Sequence, residues 1–319
     1  MTKPRSNAKF KRLKQIATLV FFILIAGLLF TVIRNVDWAE VSLALRGYSS
    51  TMLATAIAIS ALSYFVFSSY DVLGRIYTGH QLPLRQVYPL AFTVYAFNLN
   101  FGAWVGSLAL RYRLYSRAGL DISTITRILT ISLISNWLGY MLLAGTVFSL
   151  RLMDLPANWQ IGVPALQLIG FALLAVSFAY LLACRFSKRR SWQWRDHEII
   201  LPSLQFALLQ GLLGAVNWSL MAALIYVLLP EQAFYPSVLG VLLVSSIAGV
   251  ITHIPAGLGV LEAIFLALLQ HQFAPSVLLA TLIVYRAVYF LLPLVFALIF
   301  YVLLERHAKI SQPAKEEPA

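Results

Sequence analysis

The residues able to carry chemistry centre on a break near the C-terminal end of the chain, residues 251–262. One proline and two glycines interrupt the otherwise apolar stretch 238–270, and a carboxylate, Glu262, follows them: Pro255, Gly257 and Gly259. Such a break frees backbone N–H and C=O groups, which a membrane tolerates only where protein or a wet cavity satisfies them. An ionisable residue beside the break therefore predicts a functional site.

Glu262 is expected to pair with Arg286. Both have long apolar flanks, and at 1.5 Å per residue both lie about 12–14 Å from the outer interface. A charge at the centre of a span costs about 2.5–3.5 kcal/mol, so a direct or ligand-bridged pair is favoured over two isolated charges. Two purely structural roles stay open: a fixed salt bridge, or Glu262 capping the half-helix that starts at the break.

The two glycines permit a tight turn at the break. The half-helix that starts there would direct its N-terminus, with free N–H groups, towards the membrane midplane. His253 lies at the same break and could relay protons, although a histidine bonded to the backbone for structural reasons is the alternative.

A second polar interruption lies in the apolar segment 87–108, which contains Asn98, Asn100, Gly102 and Gly106. Basic residues flank this segment on both sides, which indicates a re-entrant hairpin entering from the cytoplasm; an ordinary span with a few polar residues is the alternative. Two facing helix N-termini together with Arg111 and Arg286 would suit an anion such as a phosphate head group. Asp71 and Arg111 themselves are expected to contact solvent or lipid phosphates.

The composition excludes a soluble globular protein. Of the 319 residues, 60% are hydrophobic and 11% are charged, whereas about a quarter of the residues in soluble domains are charged. The single cysteine, Cys184, excludes an intramolecular disulfide and a cysteine-based zinc site. The net charge of +12 does not indicate nucleic-acid binding, because the basic residues occupy short loops between apolar runs. No metal or cofactor is expected, because no zinc-protease motif and no P-loop occurs.

The apolar runs predict an all-α integral membrane protein with six transmembrane helices and two re-entrant helical hairpins. The crossings are predicted at 16–33, 52–70, 128–150, 165–184, 204–229 and 277–304. The hairpins are 87–108 and 238–270, since the second limb of the latter has only about thirteen residues and is too short to span.

Most of the 24 Lys and Arg residues fall in segments that this layout places in the cytoplasm, as the positive-inside rule requires. Both termini are then cytoplasmic. Each half contains two spans, a hairpin and a span, in opposite orientations, which predicts an inverted repeat with a binding site where the broken helices meet. The domain organisation is a basic cytoplasmic N-terminus (1–15), one membrane domain (16–304, with halves 16–160 and 161–304) and a cytoplasmic tail (305–319).

Several of these motifs resemble a known family. The stretch 98–117, the segment 255–262 and the pair Tyr285–Arg286 are similar to the membrane domain of lysylphosphatidylglycerol synthase/flippase proteins, and the resemblance covers essentially the full length. It implies a phospholipid or lipid-linked substrate. Because the soluble aminoacyl-transfer domain of the synthases is absent from this sequence, lysine transfer from tRNA is not expected.

The leading hypothesis is a lipid transporter or flippase of the bacterial inner membrane rather than an enzyme, with Glu262 as a proton-linked switch or counter-charge. The alternatives are a membrane-embedded enzyme or accessory subunit acting on a lipid-linked intermediate, and a non-catalytic assembly partner of a lipid enzyme. The expected partners are the bilayer, a phospholipid or lipid-linked anion, and a lipid enzyme or a second copy of the chain. The predicted substrate-binding or coupling residues are Glu262, Arg286, Arg111, His253, Gly257, Gly259, Pro255, Asn98, Asn100 and Gly102.

Overall fold

The computed structural model describes residues 38–156, 162–194, 197–230, 233–252 and 254–310. Its helices are α1 (Trp38–Arg46), α2 (Ser50–Thr78), α3 (Leu84–Phe101), α4 (Arg111–Arg117), α5 (Ile122–Ser149), α6 (Gly162–Phe186), α7 (Leu204–Leu228), α8 (Tyr235–Thr252), α9 (Val260–Leu269), α10 (Pro275–Arg286) and α11 (Leu292–Ile310). The π-helical segments Ala103–Leu110 and Ala287–Leu291 join α3 to α4 and α10 to α11, and a 3₁₀ turn, Pro255–Gly257, lies between α8 and α9. Strands β1 (Ser191–Trp194) and β2 (His197–Ile200) form one short antiparallel pair.

Six helical stretches of the described part are long and apolar enough to cross a membrane: α2, α5, α6, α7, α8 and the continuous run Pro275–Leu304. The prediction of an all-α membrane protein is confirmed. Five of the six overlap predicted crossings, whereas α8 is the first limb of the second predicted hairpin. The first predicted crossing, 16–33, lies outside the described residues, as do 1–15 and 311–319.

Side-chain caps explain where the long helices begin. Ser49 Oγ accepts a hydrogen bond from Met52 N (3.1 Å) at the start of α2, and Ser203 Oγ accepts one from Phe206 N (3.3 Å) at the start of α7. Each cap satisfies one of the N–H groups that a helix leaves without an intrahelical acceptor. At the far end of α2, Gly79 adopts a φ of 71°, which ends the helix in the left-handed conformation that glycine favours.

Small residues bring the central helices into direct backbone contact. A Cβ atom added to Gly139 of α5 would lie 2.1 Å from the carbonyl carbon of Gly214 of α7, and one added to Gly214 would lie 2.2 Å from Ser135 O. Without a hydrophobic force between helices in lipid, such close approach is a main source of association. α5 and α7 therefore form the rigid centre of the bundle, and α2 packs against both.

The chain between α2 and α5 folds back on itself and forms the first hairpin, made of α3, the π-helical segment 103–110 and α4. Leu90 of α3 and Leu114 of α4 belong to one buried cluster, and Leu82 and Leu120 at the two ends of the hairpin also pack against it. A continuous helix would separate Leu90 from Leu114 by about 36 Å. The chain reverses at Gly102, which has a φ of 83°. Glycine adopts such positive φ values readily because it has no Cβ atom.

A second hairpin is formed by α8, the turn Pro255–Gly257 and α9. Its two ends meet at Asp154, whose N–H donates to Ser237 Oγ (2.9 Å) and whose Oδ2 accepts from Gln272 Nε2 (3.1 Å). The helix α5, with 28 residues, runs for about 42 Å from the base of the first hairpin towards the base of the second. The hairpins thus start at opposite ends of the bundle, and α3 contacts the Pro255–Gly257 turn.

Candidate functional site

Arg286 holds the tip of the second hairpin. Its Nη1 donates to Ala256 O (3.0 Å) and its Nη2 to Gly257 O (3.2 Å). The Nε and Nη2 groups also donate to the two carboxylate oxygens of Glu262, with 3.0 Å between Nη2 and Oε2. This side-on arrangement is the strong, geometrically specific form of the arginine–carboxylate pair. The structure thus brings together two of the residues singled out in the sequence, although they are 24 residues apart.

The break itself has an unusual backbone. Ala256, Gly257 and Gly259 all have positive φ values of 56°, 56° and 79°, and Ala256 is not a glycine. A non-glycine residue in this region is uncommon, and its strain must be compensated by surrounding contacts. Arg286 supplies two of these contacts, and Glu262 Oε2 supplies a third by accepting a hydrogen bond from Gly259 N (2.8 Å). Glu262 is therefore both the ionic partner of Arg286 and the cap of α9.

The Glu262–Arg286 pair is not sealed inside the protein. The Arg286 side chain is 14% exposed and that of Glu262 is 18% exposed. The guanidinium also lies over the ring of Phe290, with 5.4 Å between its central carbon and the ring centroid. A polar group from outside can consequently reach the pair. His253 lies outside the described residues, and Pro255 opens the 3₁₀ turn.

The first hairpin contributes the predicted asparagines. Asn100 Nδ2 donates to Ala96 O (2.8 Å) in its own helix and to Phe290 O (3.1 Å) in the segment that follows Arg286. Asn98 Oδ1 is buried and has no hydrogen-bond partner. Gly102 stands at the reversal of the chain, where added side-chain atoms would meet nothing within 4 Å, so its role is conformational.

Arg111 lies in a different cluster. It forms an ion pair with Asp71 (2.7 Å), and both side chains are 0% exposed. The expectation that these two residues contact solvent or lipid phosphates is therefore wrong. Because Asp71 belongs to α2 and Arg111 to α4, the pair ties the returning limb of the first hairpin to the bundle.

The carboxylate of Asp71 is saturated with donors. It accepts five hydrogen bonds, two from Arg111 Nη1 and one each from the hydroxyl groups of Tyr95, Tyr115 and Ser132. In contrast, Nε and Nη2 of Arg111 are buried without a partner, and the guanidinium lies 5.2 Å from the ring centroid of Tyr95. Charge-assisted bonds of this kind are roughly twice as strong as neutral ones, so the cluster is a rigid joint.

The chain matches the family described as the lysylphosphatidylglycerol synthase TM region over residues 15–297. This protein belongs to that family. It is 46% identical over 316 residues to the Escherichia coli inner membrane protein YbhN, with 99% of each chain covered. It is 30% identical over 280 residues to the Synechocystis sp. protein slr0712, covering 86% of this chain and 85% of the other. A Staphylococcus haemolyticus phosphatidylglycerol lysyltransferase is 22% identical over 314 residues, which cover 94% of this chain and 35% of that protein.

These similarities confirm the resemblance inferred from the motifs. The matched residues include both hairpins and both charged clusters of this lysylphosphatidylglycerol synthase TM family member. The likeness to an inner membrane protein, together with six apolar helices, supports a multi-pass inner membrane protein. Among the described residues, no group of three or more histidines, cysteines and carboxylates could hold a metal ion.

The Asp71 cluster is not predicted from the sequence, because the predicted second crossing ends at Tyr70 and leaves Asp71 outside the helix. The helix continues to Thr78. A signal is present: small, polar and aromatic residues recur on one face of this helix with a spacing of three or four and run past the predicted end. They are Ser60, Ser63, Tyr64, Phe67, Tyr70, Asp71 and Gly74. Such spacing indicates one buried helical face, which would have placed Asp71 inside.

Proposed function

We propose that this protein is a lipid transporter of the flippase type in the bacterial inner membrane. In this proposal the anionic head group of a phospholipid or lipid-linked substrate binds at the Glu262–Arg286 pair. The observation that carries the proposal is a partly exposed, bidentate ion pair at the break of an apolar helical hairpin. Charges in such segments mark substrate or ion pathways as a rule.

The chemistry of the site suits a phosphate group. The first N–H groups of α9, from Val260 and Leu261, have no intrahelical acceptor, and a helix N-terminus favours an anion. Arg286 presents the planar donor fork that matches phosphate oxygens. Protonation of Glu262 would weaken its pair with Arg286 and release the guanidinium to the phosphate, and loss of that proton would restore the pair and expel the anion.

The relatives support a lipid substrate. Several of them carry the name phosphatidylglycerol lysyltransferase, which says that those proteins act on phosphatidylglycerol. The shared part is 35% of their length, so handling of the lipid, and not transfer of lysine, is what we propose for this chain. Within this proposal, Arg111 and Asp71 have a coupling role, because their ion pair is the joint that holds the first hairpin to the bundle.

Reconstitution into liposomes tests the proposal. Wild-type protein is expected to move fluorescently labelled phosphatidylglycerol between leaflets faster than protein-free liposomes do, and Glu262→Gln is expected to slow this movement. Asp154→Asn is the matched control, because it also converts a carboxylate to an amide but at an exposed position. Wild-type movement at the protein-free rate would contradict the proposal. A chemically altered lipid in the same liposomes would favour the membrane-embedded enzyme instead.

We further propose that both hairpins are re-entrant, within an inverted repeat whose halves are 16–160 and 161–304, and that both termini are cytoplasmic. The supporting observation is that each hairpin begins and ends at the same end of the bundle, and that the two ends differ.

Single exposed cysteines, introduced after Cys184→Ser, test this topology. Gln81→Cys and Ser123→Cys, before and after the first hairpin, should both react with an impermeant maleimide only from the cytoplasm. Phe234→Cys and Gln270→Cys, around the second hairpin, should both react only from the periplasm. All four native side chains are exposed. If the two cysteines that flank a hairpin react from opposite sides of the membrane, that hairpin crosses the membrane and is not re-entrant.

A further inference from the structure

The last apolar helical run changes its hydrogen-bonding pattern directly after Arg286. Residues Ala287–Leu291 are π-helical and join α10 to α11. Single-turn π segments inside α-helices are frequent at functional sites. Pro293, two residues further on, has no N–H group and cannot donate to the carbonyl four residues earlier, which is that of Tyr289. The α-helical hydrogen bond that Tyr289 O would accept at this position is therefore missing.

Three consecutive carbonyl groups of this segment accept hydrogen bonds from side chains of other helices. Ser60 Oγ donates to Val288 O (3.1 Å), Tyr64 OH donates to Tyr289 O (3.1 Å), and Asn100 Nδ2 donates to Phe290 O (3.1 Å). Ser60 and Tyr64 belong to α2 and are 3% and 2% exposed. We call these three side chains the π-segment clamp.

The clamp connects the two hairpins through Arg286. Asn100 lies two residues before Gly102, where the first hairpin reverses. The carbonyl that it holds is four residues after Arg286, and Arg286 holds the tip of the second hairpin through Ala256 O and Gly257 O. A continuous series of hydrogen bonds and covalent backbone thus joins the tip of one hairpin to the tip of the other.

We propose that Asn100, with Ser60 and Tyr64, positions Arg286 and thereby makes the tips of the two hairpins move together. The inference rests on the proposed function and deepens it, because it gives Asn100 a role in positioning rather than in binding the head group. The Asn100 amide is already used by the carbonyls of Ala96 and Phe290. A displacement of the first tip would shift Phe290 and, through the same backbone, the guanidinium that closes the second tip.

Hydrogen–deuterium exchange of the full-length protein in nanodiscs tests the clamp without requiring transport. Asn100→Ala is expected to raise exchange at the backbone amides of 254–259 by about threefold or more, because local opening of that turn becomes easier. Exchange in α5 should not change. Asn98→Ala is the matched control: it lies on the same helix, its Oδ1 has no hydrogen-bond partner, and it should leave exchange at 254–259 at the wild-type level. Unchanged exchange in Asn100→Ala, or an equal rise in α5, would overturn the inference.

A double-mutant comparison supplies the transport readout. If Asn100 acts through Arg286, Asn100→Ala combined with Arg286→Lys should translocate lipid no more slowly than Arg286→Lys alone. If the double variant instead slows lipid translocation by the product of the two single effects, Asn100 acts independently of Arg286, and the inference is overturned. If the wild-type protein moves no lipid, the proposed function fails, whereas the exchange measurement still decides whether the clamp exists.

Discussion

The buried pair of Asp71 and Arg111 allows a quantitative prediction of stability. Asp71→Leu removes the acceptor of five hydrogen bonds and leaves Arg111, which is 0% exposed, without a counter-charge. The hydroxyl groups of Tyr95 and Tyr115 lose their acceptor as well, whereas Ser132 Oγ keeps a second one, Ile128 O (2.9 Å). Removing one member of a buried ion pair costs about 3–5 kcal/mol, since the remaining charge is uncompensated. We expect a loss of stability in that range.

Replacing both members of the pair is expected to recover part of the stability that the single replacement loses. Asp71→Leu together with Arg111→Met removes both charges, and it also removes the two buried guanidinium nitrogens that have no partner, Nε and Nη2. Replacing a whole buried pair by apolar residues of similar volume is often neutral or stabilising. The double variant should therefore be more stable than Asp71→Leu alone, although the hydroxyl groups of Tyr95 and Tyr115 still lack their acceptor.

The assay is reversible unfolding of purified protein in mixed micelles with increasing SDS, followed by tryptophan fluorescence. Asp154→Asn serves as the control, because Asp154 is exposed and the hydrogen bond that its carboxylate accepts from Gln272 is exposed too. Its unfolding midpoint should be close to that of the wild type. A loss below about 1 kcal/mol for Asp71→Leu would refute the reasoning, because an uncompensated buried charge costs more than that. A double variant less stable than the single one would refute it too.

Two further predictions concern other parts of the molecule. Gly139→Ala should destabilise the protein by about 1–3 kcal/mol, because its Cβ would lie 2.1 Å from backbone atoms of Gly214, whereas Gly162→Ala, with nothing within 4 Å, should not; equal thermal midpoints for the two variants would contradict this packing. In the loop after α2, burial lowers the pKa of His80, and its Nδ1 accepts a hydrogen bond from Leu82 N (3.3 Å). The pKa of His80 in the folded protein therefore lies below the unfolded value of about 6.5, so the fold favours the neutral imidazole. His80 stabilises the fold above about pH 6.5, and this stabilisation is lost as the pH falls. Thermal midpoints measured from neutral to mildly acidic pH should fall less in His80→Gln, and identical pH dependence would contradict the assignment.

Much of the architecture was predictable from the sequence for one reason. In hydrocarbon every backbone polar group needs an internal partner and every charge is costly, so apolar lengths, breaks and isolated charges carry strong information. These constraints predict five of the six apolar helices as crossings and α8 as the first limb of a hairpin. They also predict the break at residues 255–259 and the pairing of Glu262 with Arg286. The re-entrant topology and the inverted repeat stay predictions.

The sequence by itself determined which segments are apolar and helical, where the second hairpin turns, and that a charge there must find an opposite charge. Only the tertiary structure decided that Arg111 pairs with Asp71 at full burial and that Asn100 holds the backbone beyond Arg286. The physical reason is that composition and spacing act along one helix, whereas a partner on another helix depends on crossing angle and rotation. Those are set by small-residue contacts such as Gly139 against Gly214, which no periodicity in a single chain specifies.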